Sequence, residues 1–356
     1  VVARNRKDAT TVSLDPIVLQ GTLKETIWGG NHLATLLNKS LPPHARIGES
    51  WETDLDARAT NPPYTGHTLD NLTKELGVRL YGTRAQAIFG DRFPLLIKFL
   101  DAQAWLSVQV HPDDTYAAEH EHGKLGKTEA WRILQAEPGA QIMHGFARAT
   151  NRDEVAAAIQ ANQLEKLAHY EPMKAGDIVL NLAGTLHATG AGIVLYEIQE
   201  YSDITYRLYD FGRLDANGKP RALHVAQALD VLDYDPLPRH LMQPITVGNP
   251  AEQLLVADKH FALAEMQLTP GTTNRRTTDG TSCHIISVIA GDLRLTWGQP
   301  AAPQMGTVRQ GETVIMAAED APYLLAAASA TPTRILIAWV PSSDDPAVQA
   351  WYAAQG

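Results

Sequence analysis

Cysteine is almost missing from this chain. Cys283 is the single one in 356 residues, so no intramolecular disulfide can form and a thiolate zinc cluster is excluded. Any metal would have to be held by imidazole, carboxylate or amide groups, and a reducing, cytoplasmic setting is expected. Long apolar runs are missing too: no stretch approaches the roughly 18 uninterrupted apolar residues of a membrane span. The opening segment, "VVARNRKDATTVSLDP", is basic but has no apolar core behind it, so it does not read as a secretory signal. Basic runs are lacking as well. With a net charge of −10 and no Lys/Arg run, the chain has none of the footprint of a nucleic-acid binder. A small anionic substrate stays open, provided a few cations are placed locally against the global field.

What is present is the composition of a soluble globular chain, 44% apolar and 20% charged. Its length allows one very large domain or two ordinary ones. Short apolar runs such as "RFPLLIKFL", "WLSVQVH", "EAWRILQA" and "GIVLYEIQ" are bounded by Gly, Pro, Asn or Asp. That is the pattern of a β-sandwich or barrel. Helical periodicity is confined to patches. "TLDNLTKELGVRLYG" carries Leu69, Leu72, Leu76 and Leu80 on one face behind a Thr/Asp capping signal. "NRDEVAAAIQANQLEKLAHY" and "ALHVAQALDVL" are the other two. A proline-rich stretch, residues 233–250, has no period and reads as an interdomain connection. The segments "MKAGDIVLNLAGTLHA" and "VRQGETVIMAAEDAPY" share a phrase, and aligning Gly176 with Gly311 sets His187 opposite Pro322. Two related β-sandwich units follow from this, one carrying chemistry and one without it. The expected division is an N-terminal arm (1–14), a catalytic unit (15–235) and a C-terminal unit (236–356).

The stretch "LSVQVHPDD" places Gln109 and His111 at i and i+2 of a strand that Pro112 ends. Such residues project from the same face. They are either two ordinary half-buried polar groups or the first half of a metal site. Glu129 opens another strand-like run, and His187 follows a Gly-containing turn. Imidazole, carboxylate and amide oxygen are all competent ligands, but with thirteen histidines in the chain some such spacing arises by chance.

Several motifs taken together narrow the reading. "FPLLIKFLDAQAWLSVQVHPDD", "GKTEAWRIL", "GTLHATGAG" and "EIQEYSDITYRLYD", in that order, with "LKETIWGG" and "IGESWE" before them, resemble the type I mannose-6-phosphate isomerases, in particular the shorter bacterial branch of that cupin-fold family. The resemblance spans residues 15–235; the C-terminal third matches only in general pattern. It implies a mainly β protein of two cupin-like (jelly-roll) β-sandwich units with small helical insertions. It also implies one zinc ion per chain, held by Gln109, His111, Glu129 and His187. The position before the last ligand, where the cupin pattern often has proline, is Leu182 here.

The activity so implied is the reversible isomerisation of mannose 6-phosphate and fructose 6-phosphate through an enediol(ate). Such a reaction needs a cation for the developing oxyanion, a base for the carbon-bound proton and cations for the distal phosphate. The matching positions are Lys127, Glu197 and Arg207 for catalysis and Ser107, Lys98 and Arg213 for the substrate. Otherwise Lys127 would be a solvated loop lysine, and Glu197 would pair with Arg207 for structure. Trp28, Glu49 and Trp51 line the pocket or serve the core. The partner expected is a small phosphosugar, with no nucleic acid or membrane, on a monomer or weak homo-oligomer. "HEHGK" (120–124) reads as a solvated turn, Asp113 and Asp114 as a helix N-cap, "GAG" (190–192) as a turn and Cys283 as buried and inert. Two rivals stay open: another metal-dependent cupin enzyme, such as an iron oxygenase, and a non-catalytic sugar-binding cupin.

Overall fold

The computed structural model describes residues 13–214, 218–319 and 321–355. Apart from Ser13 and Leu14, the expected N-terminal arm lies outside them. Among the described residues four antiparallel sheets, of five, six, eight and four strands, stack in that order through shared cores. The strand Leu95–Ala102 shows why. Leu95, Ile97 and Phe99 join a core shared with Leu254, Val256 and Ile285 of the eight-stranded sheet. Leu100 and Ala102 join a different core with Trp131, Leu195 and Ile142. Alternate residues thus serve opposite faces, as a pleated strand requires. With both faces covered, every residue of Leu95–Ala102 and of Ile193–Glu200 is buried. The site described below lies on the inner side of this sheet, facing the five-stranded one.

The mainly β, cupin-fold expectation holds. The internal repeat is also seen in the backbone. Gly176 and Gly311 both have positive φ, +105° and +85°. Each precedes a four-residue strand at the same offset, Ile178–Asn181 and Thr313–Met316, and the following strands begin at His187 and Pro322. The sheets bridge the 235/236 division, however. Ile17–Gln20 pairs with Thr313–Met316, with Ile17 opposite Ile315, and Arg58–Ala59 pairs with Ile17–Gln20 in turn. The N-terminal strand therefore completes the C-terminal sheet.

Helices occur where the periodic patches fall. Thr68 caps Leu69–Leu76 by accepting the Asn71 N–H, and Leu69 and Leu72 are buried. The single helix expected over Leu69 to Leu80 is instead two, because Gly77, with φ +53°, breaks it before Val78–Tyr81. Arg152–Gln160 and Val225–Val231 pack outside the five-stranded sheet through Val155, Ala228 and Leu229. Among the described residues no helix is long and apolar enough to cross a membrane.

Candidate active site

The strand Val108–Val110 is only three residues long, and Pro112 ends it by removing a backbone donor. Asp113 then caps the helix Asp114–His120, accepting the Tyr116 N–H, a contact worth about 1 kcal/mol. The short strand lies between two others. Gln109 is opposite Arg207 on one side and opposite His187 on the other. Directly opposed residues share a face, so three chemical groups line up across three strands. Glu129 comes from the facing six-stranded sheet, where its neighbours are Asn181 and Gln199.

The two sheets bring these groups together. His111 Nε2 is 3.5 Å from Glu129 Oε2, and His187 Nε2 is 3.4 Å from Glu129 Oε1. Gln109 Nε2 is 3.3 Å from His187 Nε2. One donor atom from each of His111, Glu129 and His187 lies within 4.8 Å of the others, and all three residues are buried. The outer nitrogens are tied down: His111 Nδ1 donates to Ile204 O at 2.8 Å and His187 Nδ1 to Thr185 O at 2.9 Å. Those bonds put the proton on Nδ1 and turn the Nε2 lone pairs toward Glu129, the orientation of metal-ligating histidines.

Electrostatics point the same way. Burial, then the Lys127 ammonium, push His111 down to about 3. Burial lowers His187 as well. Glu129 is held well below its ordinary range: burial pushes it up, but Lys127, His111 and His187 outweigh that. Neutral imidazole and ionised carboxylate are the ligand-competent forms. Lys127 Nζ sits 2.7 Å from Glu129 Oε2 and 3.2 Å from His111 Nε2, while Oε2 accepts no hydrogen bond of proper geometry. A buried carboxylate left this way, with an imidazole Nε2 facing each of its oxygens and an amide beside His187, suits a divalent cation.

Beside this cluster, reached through Gln109 and Lys127, is a cavity of about 150 Å³. It is lined by Ser107, Gln109, Lys98, Lys127, Glu197 and Arg207, and by Trp28, Glu49 and Trp51. Lys127 is 4% exposed, so it is not a solvated loop lysine. Glu197 does not pair with Arg207. Its partners are Lys98, with Nζ 3.1 Å from Oε1, and Trp131, whose indole N–H donates to Oε2 at 3.1 Å. Burial and the Glu129 charge raise the Glu197 pKa, against the pull of Lys98 and Lys127. Arg207 donates to Ser107 Oγ at 3.1 Å and to Ala222 O at 2.9 Å.

Two other groupings of histidine and acid occur among the described residues, His169–Glu171–His240 and Asp114–Glu200–His260. In the first, the rings of His169 and His240 stack 3.8 Å apart at 8°. An in-plane ligand cannot lie in both of two parallel planes, so their lone pairs do not converge. Residues 120–124 hold no such cluster: His120 ends a helix, and His122 and Gly123 turn with positive φ. Gly192, at φ +82°, turns directly into the strand Ile193–Glu200. Cys283 is buried, which pushes its thiol up to about 12.

The family model described as the phosphomannose isomerase type I catalytic domain matches residues 17–165. A mannose-6-phosphate isomerase of Streptococcus mutans is 36% identical over 306 residues, 85% of this chain and 92% of that one. The chain belongs to the type I phosphomannose isomerases. A second member, mannose-6-phosphate isomerase ManA of Bacillus subtilis, is 35% identical over 82% of this chain and 91% of its own. The crystal structure of the Bacillus subtilis mannose 6-phosphate isomerase superposes with a TM-score of 0.79 at 31% identity, covering 91% of this chain and 99% of that one.

For an isomerase of this family, one sequence expectation needs correction. Arg213 does not line the cavity. Its guanidinium bonds to Asp210 and to the backbone of Trp105. Arg221, which sequence reasoning passed over, lines the cavity from the far end of the same loop and shares Asp210 with Arg213. Thr205, Asp203 and Thr189 were missed as well. "EYSDITYRLYD" contains two of these three, but nothing in its spacing singles them out.

Proposed function

We infer that this chain interconverts mannose 6-phosphate and fructose 6-phosphate by moving a proton between C1 and C2 of the open-chain sugar. The observation that carries the reading is the convergence of His111, Glu129 and His187 beside Gln109, which lines a cavity together with Lys98, Lys127, Glu197, Arg207 and Arg221, in a member of this family. The ligand set assigned is Gln109, His111, Glu129 and His187, and the cation assigned is one zinc ion per chain. Two neutral imidazoles, a carboxylate and an amide, with no thiolate, support that choice. When bound, the cation supplies Lewis-acid stabilisation of the charge developing on the substrate oxygens.

The chain's own groups supply the rest. Glu197 is buried with a raised pKa, which suits a carboxylate that takes a proton and returns it near neutral pH. Lys127, next to Glu129, holds or moves a hydroxyl proton. Lys98 keeps Glu197 ionisable by standing 3.1 Å from it. Arg207 and Arg221 are only partly buried and take the phosphate with Ser107. A dianion there keeps part of its hydration while the guanidinium forks orient the reacting end. Phosphosugars do not cross a bilayer unaided, so the reading sets the enzyme in the cytoplasm.

The test is turnover of mannose 6-phosphate by the metal-replete protein, measured beside a panel of other aldose phosphates. The reading stands if mannose 6-phosphate is converted to fructose 6-phosphate with the highest kcat/KM of the panel. No conversion, or clear preference for another phosphosugar, refutes it.

A further inference from the structure

His260 lies in the connection between the strands Glu252–Ala257 and Ala262–Leu268 of the eight-stranded sheet, far along the chain from the groups assigned to the active site. Its side chain is 4% exposed. The imidazole reaches into the catalytic unit, with Nε2 3.1 Å from Asp114 Oδ2 and Nδ1 3.3 Å from Glu200 Oε1. Its own connection adds Asp258, whose Oδ1 is 2.7 Å from Nδ1, and Lys259, whose Nζ is 3.7 Å from Asp114 Oδ2.

The two acids it meets do the same job. Asp114 Oδ1 accepts the Gly126 N–H at 3.0 Å, and Glu200 Oε1 accepts the Thr128 N–H at 2.9 Å. Those amides flank Lys127, and Glu129 follows at once. The rest of the segment is pinned too: the Lys127 N–H donates to Pro112 O at 3.0 Å, and Leu125 O accepts from Ser202 Oγ at 3.0 Å. Gly126 lies so flat on the start of the helix Asp114–His120 that an added Cβ would come within 2.5 Å of Asp113 and Asp114 backbone. The struts of the segment are thus backbone groups or buried and partly buried side chains, and two of them meet one ring.

That ring is built to carry charge. Burial opposes protonation, but the Asp114 and Asp258 carboxylates outweigh it, with Glu200 behind them, and push the imidazole up to about 9. A charged imidazole offsets the repulsion between the two struts: Nε2 hydrogen-bonds Asp114 Oδ2, while Nδ1 faces Glu200 and Asp258 as an ion pair without a hydrogen bond of proper geometry.

We propose that His260 is a positioning residue for the isomerisation, supplied by the C-terminal unit. It holds Asp114 and Glu200, which set the 125–128 segment and through it the Lys127 ammonium and the Glu129 carboxylate. This rests on the roles assigned above to Lys127 and Glu129. It gives the C-terminal unit, which carries Pro322 where its sister has His187, a part in catalysis that needs no metal ligand of its own.

The experiment compares wild type, His260→Gln and His260→Ala in two readouts. Hydrogen exchange of peptides covering 124–129 is followed without substrate, and kcat and KM are measured on mannose 6-phosphate at saturating zinc. In His260→Gln, exchange across 124–129 speeds up while the strand His284–Ala290 is unchanged. Its kcat falls roughly 10-fold, the size of effect a small misplacement of catalytic groups produces, and KM stays within about 2-fold. His260→Ala is more severe in both; if it does not fold, the glutamine variant decides. Unchanged exchange across 124–129, or an unchanged kcat, in folded His260→Gln overturns the proposal even where the melting temperature drops. Because exchange is read without substrate, failure of the substrate assignment and failure of the brace are told apart.

Discussion

Lys98 and Glu197 stand directly opposite each other on neighbouring antiparallel strands, with Nζ 3.1 Å from Oε1. On its other side Glu197 is opposite Trp131, whose indole N–H donates to Oε2. Both neighbours of this carboxylate therefore hold it, and it lines the cavity. Glu197→Gln keeps the shape and removes the proton-carrying group. We expect kcat to fall by about 10²–10⁴-fold, the usual worth of a positioned acid or base, with KM little changed. A kcat within a few-fold of wild type would remove Glu197 from the proton path.

Arg221 and Arg213 share Asp210 but not the cavity. Arg221→Ala should raise KM for mannose 6-phosphate by about 10–100-fold, as expected from losing a charge-assisted contact to phosphate. Arg213→Ala should have a much smaller effect. Steady-state kinetics on the two variants check this, and the reverse ranking would restore Arg213 to the phosphate.

Equivalent glycines in the two sandwich units should differ in their tolerance of a side chain. At Gly311 φ is +85° and an added Cβ would lie 1.8 Å from Leu37 O. At Gly176 φ is +105°, but the nearest atom is the end of the Arg132 side chain at 3.4 Å. Gly176→Ala should cost about 1–2 kcal/mol of backbone strain, and Gly311→Ala distinctly more because backbone must move. Melting temperatures of the two variants give the ranking, and equal losses would count against the close seating of Leu37 on the C-terminal unit.

The brace at His260 predicts a pH signature. The groups facing the ring are Asp114, Glu200, Asp258 and Lys259. Its folded pKa, about 9, lies above the ordinary value of about 6.5. The stability it contributes is therefore full below the ordinary value and lost as pH rises through about 9. Glu200, raised to about 7 chiefly by burial, loses its contribution in the same direction over a lower range. The gap in melting temperature between wild type and His260→Gln should shrink from about pH 7 to about pH 10. A constant gap would mean the ring acts uncharged.

What could be read from sequence was local. The i, i+2 pairing of Gln109 and His111 follows from strand periodicity, the Asp113 cap from its place after Pro112, and the two sandwich units from the Gly176/Gly311 phrase. Long-range pairing was not legible. Nothing near Ile17 says that it crosses to Ile315, because periodicity tells which face a residue takes and not which sheet covers it. Arg221 and Arg213 are alike as loop cations; only the tertiary placement of Asp210 and Trp105 separates them. His260 is a lone histidine in a short connection, and the two acids it braces, Asp114 and Glu200, come from more than fifty residues away.

The measurement that bears most directly on the whole account is bound zinc per chain together with isomerase turnover, on wild type, chelator-treated protein and His187→Ala. We expect one zinc per chain and full turnover in wild type, loss of both on chelation with recovery on adding zinc back, and loss of both in His187→Ala. Undiminished turnover in metal-free protein, or a full zinc complement in His187→Ala, would contradict it.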